Sequence, residues 1–217
     1  MKAIQNPFSR RNFLKKSSLL TLGTGSILSL PQSACAQMPS VENDINLIGP
    51  KSGYSPQIGT LVSMLNWMRN TIMWSLRGLS VDDLDYLHDE QSNTIGAMLL
   101  HLAATERFYQ INTFDGRRWG DWEKEDRDTY QVAMNLGDAA RKQIKGNPLD
   151  FYLEKLISVR EHTLIELANR DDAWLMEADE NFWSNGPTNN YCKWFHVCEH
   201  ESNHNGQIKW IASRLPK

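Results

Sequence analysis

A chain of 217 residues, 41% hydrophobic and 23% charged, has the length and balance of one globular domain with a single core. No apolar run reaches the ~18 residues that a membrane-spanning helix requires. The formal net charge of −3 makes the chain acidic overall, and an acidic chain repels phosphate backbones, so nucleic acid is not an expected partner.

Residues 1–36 read as an export signal, not as fold. Ser9-Arg10-Arg11-Asn12-Phe13-Leu14-Lys15 matches the twin-arginine pattern S/T-R-R-x-F-L-K at every position. A mildly apolar stretch over residues 17–30 follows, and Ala34-Cys35-Ala36 supplies a small-x-small cleavage site. The expected destination is the periplasm. A lipid anchor on Cys35 is the weaker alternative, because Gln32 stands where that signal usually has leucine. The segment carries Lys2, Arg10, Arg11, Lys15 and Lys16 and no acid, so 23 basic and 26 acidic residues become 18 against 26 once it is removed. The cleaved chain is thus more acidic, at −8. Cys192 and Cys198 then remain. On one helix, six residues apart, their Cα atoms stand roughly 9 Å apart, beyond the ~7 Å reach of a disulfide. Two free thiols are expected.

Residues 37–56 hold Pro39, Gly49, Pro50, Gly53 and Pro56 without periodicity and read as a linker, leaving 57–217 as the folded domain. Ile58, Leu61, Val62, Leu65, Met68, Ile72 and Leu76 recur at three- and four-residue steps and predict a first helix over about 55–76. Residues 80–85 suit a short capped turn. Ile95, Met98, Leu99, Leu102, Ala103 and Phe108 predict a second helix over about 93–114. The charged, glycine-containing stretch 116–147 is a lid or decoration with a short helix at 138–145. Pro148 starts a third helix running to about 169, with Leu149, Tyr152, Leu153, Leu156, Val159, Leu164 and Leu167 as its stripe. Residues 170–189 read as a polar connection. A fourth helix spans about 190–214. No segment reads as a strand. The expectation is an all-α four-helix bundle with long second-to-third and third-to-fourth connections.

His196, His200 and His204 recur every four residues and form one ridge on the last helix. Imidazoles at i and i+4 can point at one divalent ion. The three span about 12 Å of rise, so an adjacent pair is expected to bind. Burying unpaired imidazoles beside Trp194, Phe195, Ile208 and Trp210 would cost several kcal/mol. A further ligand has to come from elsewhere. His101 lies inside the apolar run 98–104, where a ring needs a partner; His88 sits among aspartates in a connection, and His162 follows Arg160-Glu161 on the third helix. His101 is the best candidate.

The second-helix segment Asn93-Thr94-Ile95-Gly96-Ala97-Met98-Leu99-Leu100-His101-Leu102-Ala103-Ala104-Thr105-Glu106-Arg107-Phe108 resembles a signature of DinB-like (YfiT-like) proteins. So does His196-x-x-x-His200-x-x-x-His204-x-Gly206-Gln207-Ile208 on the last helix. Both stand in that family's order, and the four helices cover nearly all of the chain after the signal. The resemblance implies a DinB/YfiT-like bundle holding one divalent ion between His101, His200 and His204. His196, Gln207 and Thr105 are then placed around the ligands, orienting them or lining the pocket, and Thr94 shares their face. Glu106, about 140° round from His101, is expected to pair with another helix. Glu201 is expected on the helix surface or behind the ligands.

Three neutral ligands leave coordination positions open, the arrangement of a catalytic site. Zinc or nickel suits the donor set. Such an ion lowers the pKa of a bound thiol or water. The resemblance implies a thiol-dependent transferase, with hydrolysis as the competing chemistry for an exported protein and a non-catalytic metal-binding or stress role as the alternative. A thiol or other small molecule is the expected partner. Homodimerisation through helix faces suits such bundles, though no residue pattern specifies it. His200-Glu201-Ser202-Asn203-His204 also spells the peptidase pattern H-E-x-x-H, but the 13 residues after His204 hold no further His, Asp or Glu to act as a ligand. Tryptophans at helical spacing are expected in the core, with a place in the cavity wall as the lesser alternative for Trp67, Trp74, Trp194 and Trp210.

Overall fold

Each of the four apolar stripes becomes a long helix. The computed structural model describes residues 44–184 and 186–216, so the expected export signal lies outside the described residues. In chain order the helices are α1 (Pro56–Ser75), α2 (Val81–Asp85), α3 (Ile95–Thr113), α4 (Lys124–Asn135), α5 (Gly137–Gln143), α6 (Leu149–Ala168), α7 (Asp172–Met176) and α8 (Asn190–Ala212). A small hairpin, β1 (Ala178–Trp183) and β2 (Gly186–Asn189), precedes α8. The fold is the expected all-α bundle: α3 packs against α6 and α8, and α1 packs against α8 and α6. Among the described residues, no helix is long and apolar enough to cross a membrane.

Local chemistry sets the helix starts. Pro56 occupies the first turn of α1, where its missing N–H costs nothing. The carboxylate of Asp172, at the start of α7, accepts from the backbone N–H groups of Gln57 and Ile58 at 3.0 and 3.2 Å, so a short helix caps a long one. Thr94 caps α3 by accepting from the Ala97 N–H, and Asn189 caps α8 by accepting from the Cys192 N–H.

Two expectations are corrected here. The 116–147 stretch holds a second helix, α4, ahead of the short one that was expected. Its inner face is sparse: Tyr130 and Ala133 are buried, and Asp126 pairs with Arg107 of α3 at 2.7 Å. Leu136 joins α4 to α5 at φ 52°, a region that side-chain-bearing residues avoid. The 170–189 stretch contains strands where none was expected. Asp179 pairs with Thr188 and Trp183 with Gly186 in antiparallel register. Gly186 has φ 135°, which suits glycine at the turn. Lys193 of α8 holds the hairpin down, with its ammonium 3.0 Å from Asp179 and over the ring of Phe182.

The core is two apolar clusters with a charged layer between them. One gathers Ile72, Leu99, Leu102, Tyr152 and Ile208, and the other Ile58, Leu61, Leu65, Leu167 and Trp194. Between them each long helix contributes one buried charge: Arg69, Glu106, Arg160 and Glu201. Arg69 bonds both carboxylates at 2.6 and 2.5 Å, and Arg160 bonds both at 2.7 Å. Glu106 is therefore in the inter-helix ion pair expected of it. Burial alone would raise its pKa, but Arg160 and Arg69 hold it down to about 2.

Candidate metal centre

The histidines lie outside this charged layer, in the cleft where α3 and α8 meet the α4 segment. His101 comes from the middle of α3, and His200 and His204 from successive turns of α8. Each ring offers one nitrogen, and the three nitrogens lie within 4.8 Å of one another. Ring centroids stand 4.6 to 5.0 Å apart. His101 and His204 are buried, at 6% and 8% exposure, and His200 is partly open.

Hydrogen bonds fix which nitrogen faces inward. Nδ1 of His101 lies 3.0 Å from the carbonyl of Ala133, so it carries the proton and donates, leaving the Nε2 lone pair free. Nδ1 of His204 donates to the side-chain oxygen of Gln207 at 3.0 Å, again freeing Nε2. Nε2 of His101 and Nε2 of His200 face each other at 2.8 Å. Two lone pairs at that distance repel unless a proton or a cation lies between them. Burial, then the neighbouring His204, lowers the His101 pKa to about 4. Burial, then His204, His101 and His196, lowers His200 to about 3. His204 is also lowered, by burial first. All three rings are neutral at pH 7, the form in which imidazole binds metal. The donor set thus fits a divalent cation.

A cavity of about 290 Å³ opens beside His200. Its walls are Tyr109, Trp119, Met134, Phe182 and Trp183, with Thr105 and His196 as the remaining polar lining. Thr105 and His196 are therefore at the pocket. His196 is hydrogen-bonded through Nδ1 to the Tyr109 hydroxyl at 3.0 Å. Gln207 is at His204. Thr94 serves as a helix cap instead.

Of the four tryptophans weighed from the sequence, one is in the core and none walls the cavity. Trp194 is fully buried and stacked on Phe114, while Trp67, Trp74 and Trp210 are substantially exposed. The walls come from the two connections, in Trp119 and Trp183. Sequence reasoning missed them because loop aromatics carry no periodicity. His88 packs against Trp210 on the surface, and the His162 ring stands 6.4 Å from Phe114. Glu201 is not a surface residue: it is 1% exposed and bound by two guanidiniums, so it has no role as the base of an H-E-x-x-H peptidase. Cys192 and Cys198 are both free, as expected.

A comparison with curated proteins finds no significant match. The family model described as mycothiol-S-transferase matches residues 60–214, which run from the first turns of α1 to just past the end of α8. Both histidine-bearing helices and both cavity-forming connections lie within that span. The chain therefore belongs to the mycothiol-S-transferase family, within the DinB/YfiT-like superfamily.

Proposed function

We propose that this protein is a metal-dependent thiol S-transferase, with His101, His200 and His204 holding one zinc or nickel ion. The observation that carries the reading is the convergence of three neutral ring nitrogens beside an open cavity, in a chain of this family. When bound, a divalent ion supplies the acidity that brings a coordinated thiol to its thiolate form near neutral pH. The protein's own residues do the rest. Ala133 and Gln207 orient two of the rings, and burial keeps the rings unprotonated. The aromatic walls give the cavity where the acceptor sits a largely apolar lining. The thiol is a low-molecular-weight one, as the family's name implies, and the acceptor is a small electrophile. Residues 1–36 direct export by the twin-arginine route, which carries proteins already folded and so is compatible with a metal acquired beforehand.

The test begins with elemental analysis of protein purified without a histidine tag. About one zinc or nickel per chain is expected in the native protein and a large loss in His101→Ala. Turnover is then screened with thiols plus electrophiles, and separately with esters, using His204→Ala as control. Thiol transfer that depends on His204 supports the proposal. Ester hydrolysis alone would assign the centre to water activation, and stoichiometric metal without any turnover would leave a binding protein.

A further inference from the structure

We infer that the cavity beside His200 takes a flat, uncharged aromatic co-substrate whose oxygen accepts a hydrogen bond from His196. This rests on the reading of the histidine cluster as the reacting centre, and it names the class of acceptor that the centre serves.

Size comes first. A volume of about 290 Å³ lies just under the ~300–1,000 Å³ range of small-molecule pockets, which suits a one- or two-ring molecule. The walls come next. Tyr109, Trp119 and Phe182 meet at ring-centroid distances of 5.1 to 5.8 Å with their planes steeply inclined, and Trp183 continues the wall beside Phe182. Such edges and faces favour another ring. None of the described lining residues is Asp, Glu, Lys or Arg. An anion would lose its hydration there without a counter-charge. A cation could be held by aromatic faces alone, but the Lys193 ammonium already sits 4.2 Å from the Phe182 ring centroid.

The polar contact is set by Tyr109. Its hydroxyl has no other acceptor among the described residues, and the residue is 3% exposed. A buried phenol O–H left without an acceptor is costly. It therefore donates to Nδ1 of His196, which places that ring's proton on Nε2. Nε2 has no hydrogen-bond partner among the described residues, and His196 lines the cavity. The site thus presents one fixed N–H donor among aromatic walls.

The experiment uses three matched probes and a cation. Acetophenone carries ring and oxygen, ethylbenzene the ring alone, and cyclohexyl methyl ketone the oxygen alone; phenyltrimethylammonium is the cation. Dissociation constants are measured by NMR titration of the full protein, with its metal content determined in parallel. Acetophenone is expected to bind best and to shift the indole N–H signals of Trp119 and Trp183. His196→Leu should weaken acetophenone by about two- to tenfold and leave ethylbenzene unchanged. His196→Gln, which keeps an N–H donor, should recover most of the loss, and Trp183→Leu should weaken both ring probes. Equal losses for acetophenone and ethylbenzene in His196→Leu, tighter binding of the cyclohexyl ketone or the cation, or no binding at all would overturn the inference. Probe binding does not require the ion. Protein that bound acetophenone in this pattern but took up neither zinc nor nickel when these were supplied would sink the proposed metal chemistry and leave the cavity assignment standing.

Discussion

Gln207 shows how a residue with one contact can matter. Its side-chain oxygen receives the Nδ1 proton of His204 and so fixes which lone pair faces inward. Gln207→Leu is expected to weaken metal binding by about tenfold, read by competition with a chelator, with no change in helix content. The buried charges behave differently. Glu106→Gln leaves two guanidiniums facing one carboxylate inside the bundle, and should cost about 3–5 kcal/mol of stability, measured by urea denaturation. The histidines were legible in the sequence because their four-residue spacing is rare and His101 interrupts an apolar run. The charged layer was only half legible. Glu106 could be assigned to an ion pair, but its partners could not be chosen among 23 basic residues. The signal was present: Arg69 falls on the stripe of Leu65 and Ile72, and Arg160 on that of Leu156 and Leu167.

At the scale of elements, α3 is the helix on which both the candidate metal site and the core depend. It passes so close to α6 that a Cβ on Gly96 would stand 2.6 Å from the hydroxyl of Tyr152. Alanine is the better helix former by about 1 kcal/mol, yet overpacking costs about 1–3 kcal/mol. Gly96→Ala should therefore lower the urea midpoint without changing the slope. The four long helices were readable because each buries a continuous stripe. Helix α4 was not, because it buries little and its anchor is a pairing of Asp126 with Arg107 that no spacing reveals. The hairpin escaped for a similar reason: its strands are short, mostly polar at β1's start, and secured from outside by Lys193.

For the whole molecule, acidity and metal removal act through the same rings. The His101 and His200 pKa values lie below the ordinary 6.5, at about 4 and about 3. Below pH 6.5 the unfolded chain therefore takes up protons that the folded chain refuses, so stability falls as pH drops from 6.5 toward 3 and is fully present above 6.5. Chelator-treated protein should show this fall in melting temperature by calorimetry. Metal-loaded protein should melt higher at pH 7 than chelator-treated protein, in proportion to the logarithm of free metal over its dissociation constant. The rings proposed to hold the ion belong to α3 and α8, whereas Trp119, Phe182 and Trp183 belong to the connection before α4 and to the hairpin. The candidate ligands and most of the aromatic wall thus lie on separate stretches of chain, while the polar contact of Tyr109 with His196 shares the ligand-bearing helices. If the proposed chemistry holds, descendants of this protein can exchange one set of customers for another by rewriting two loops, while the three rings stay as they were.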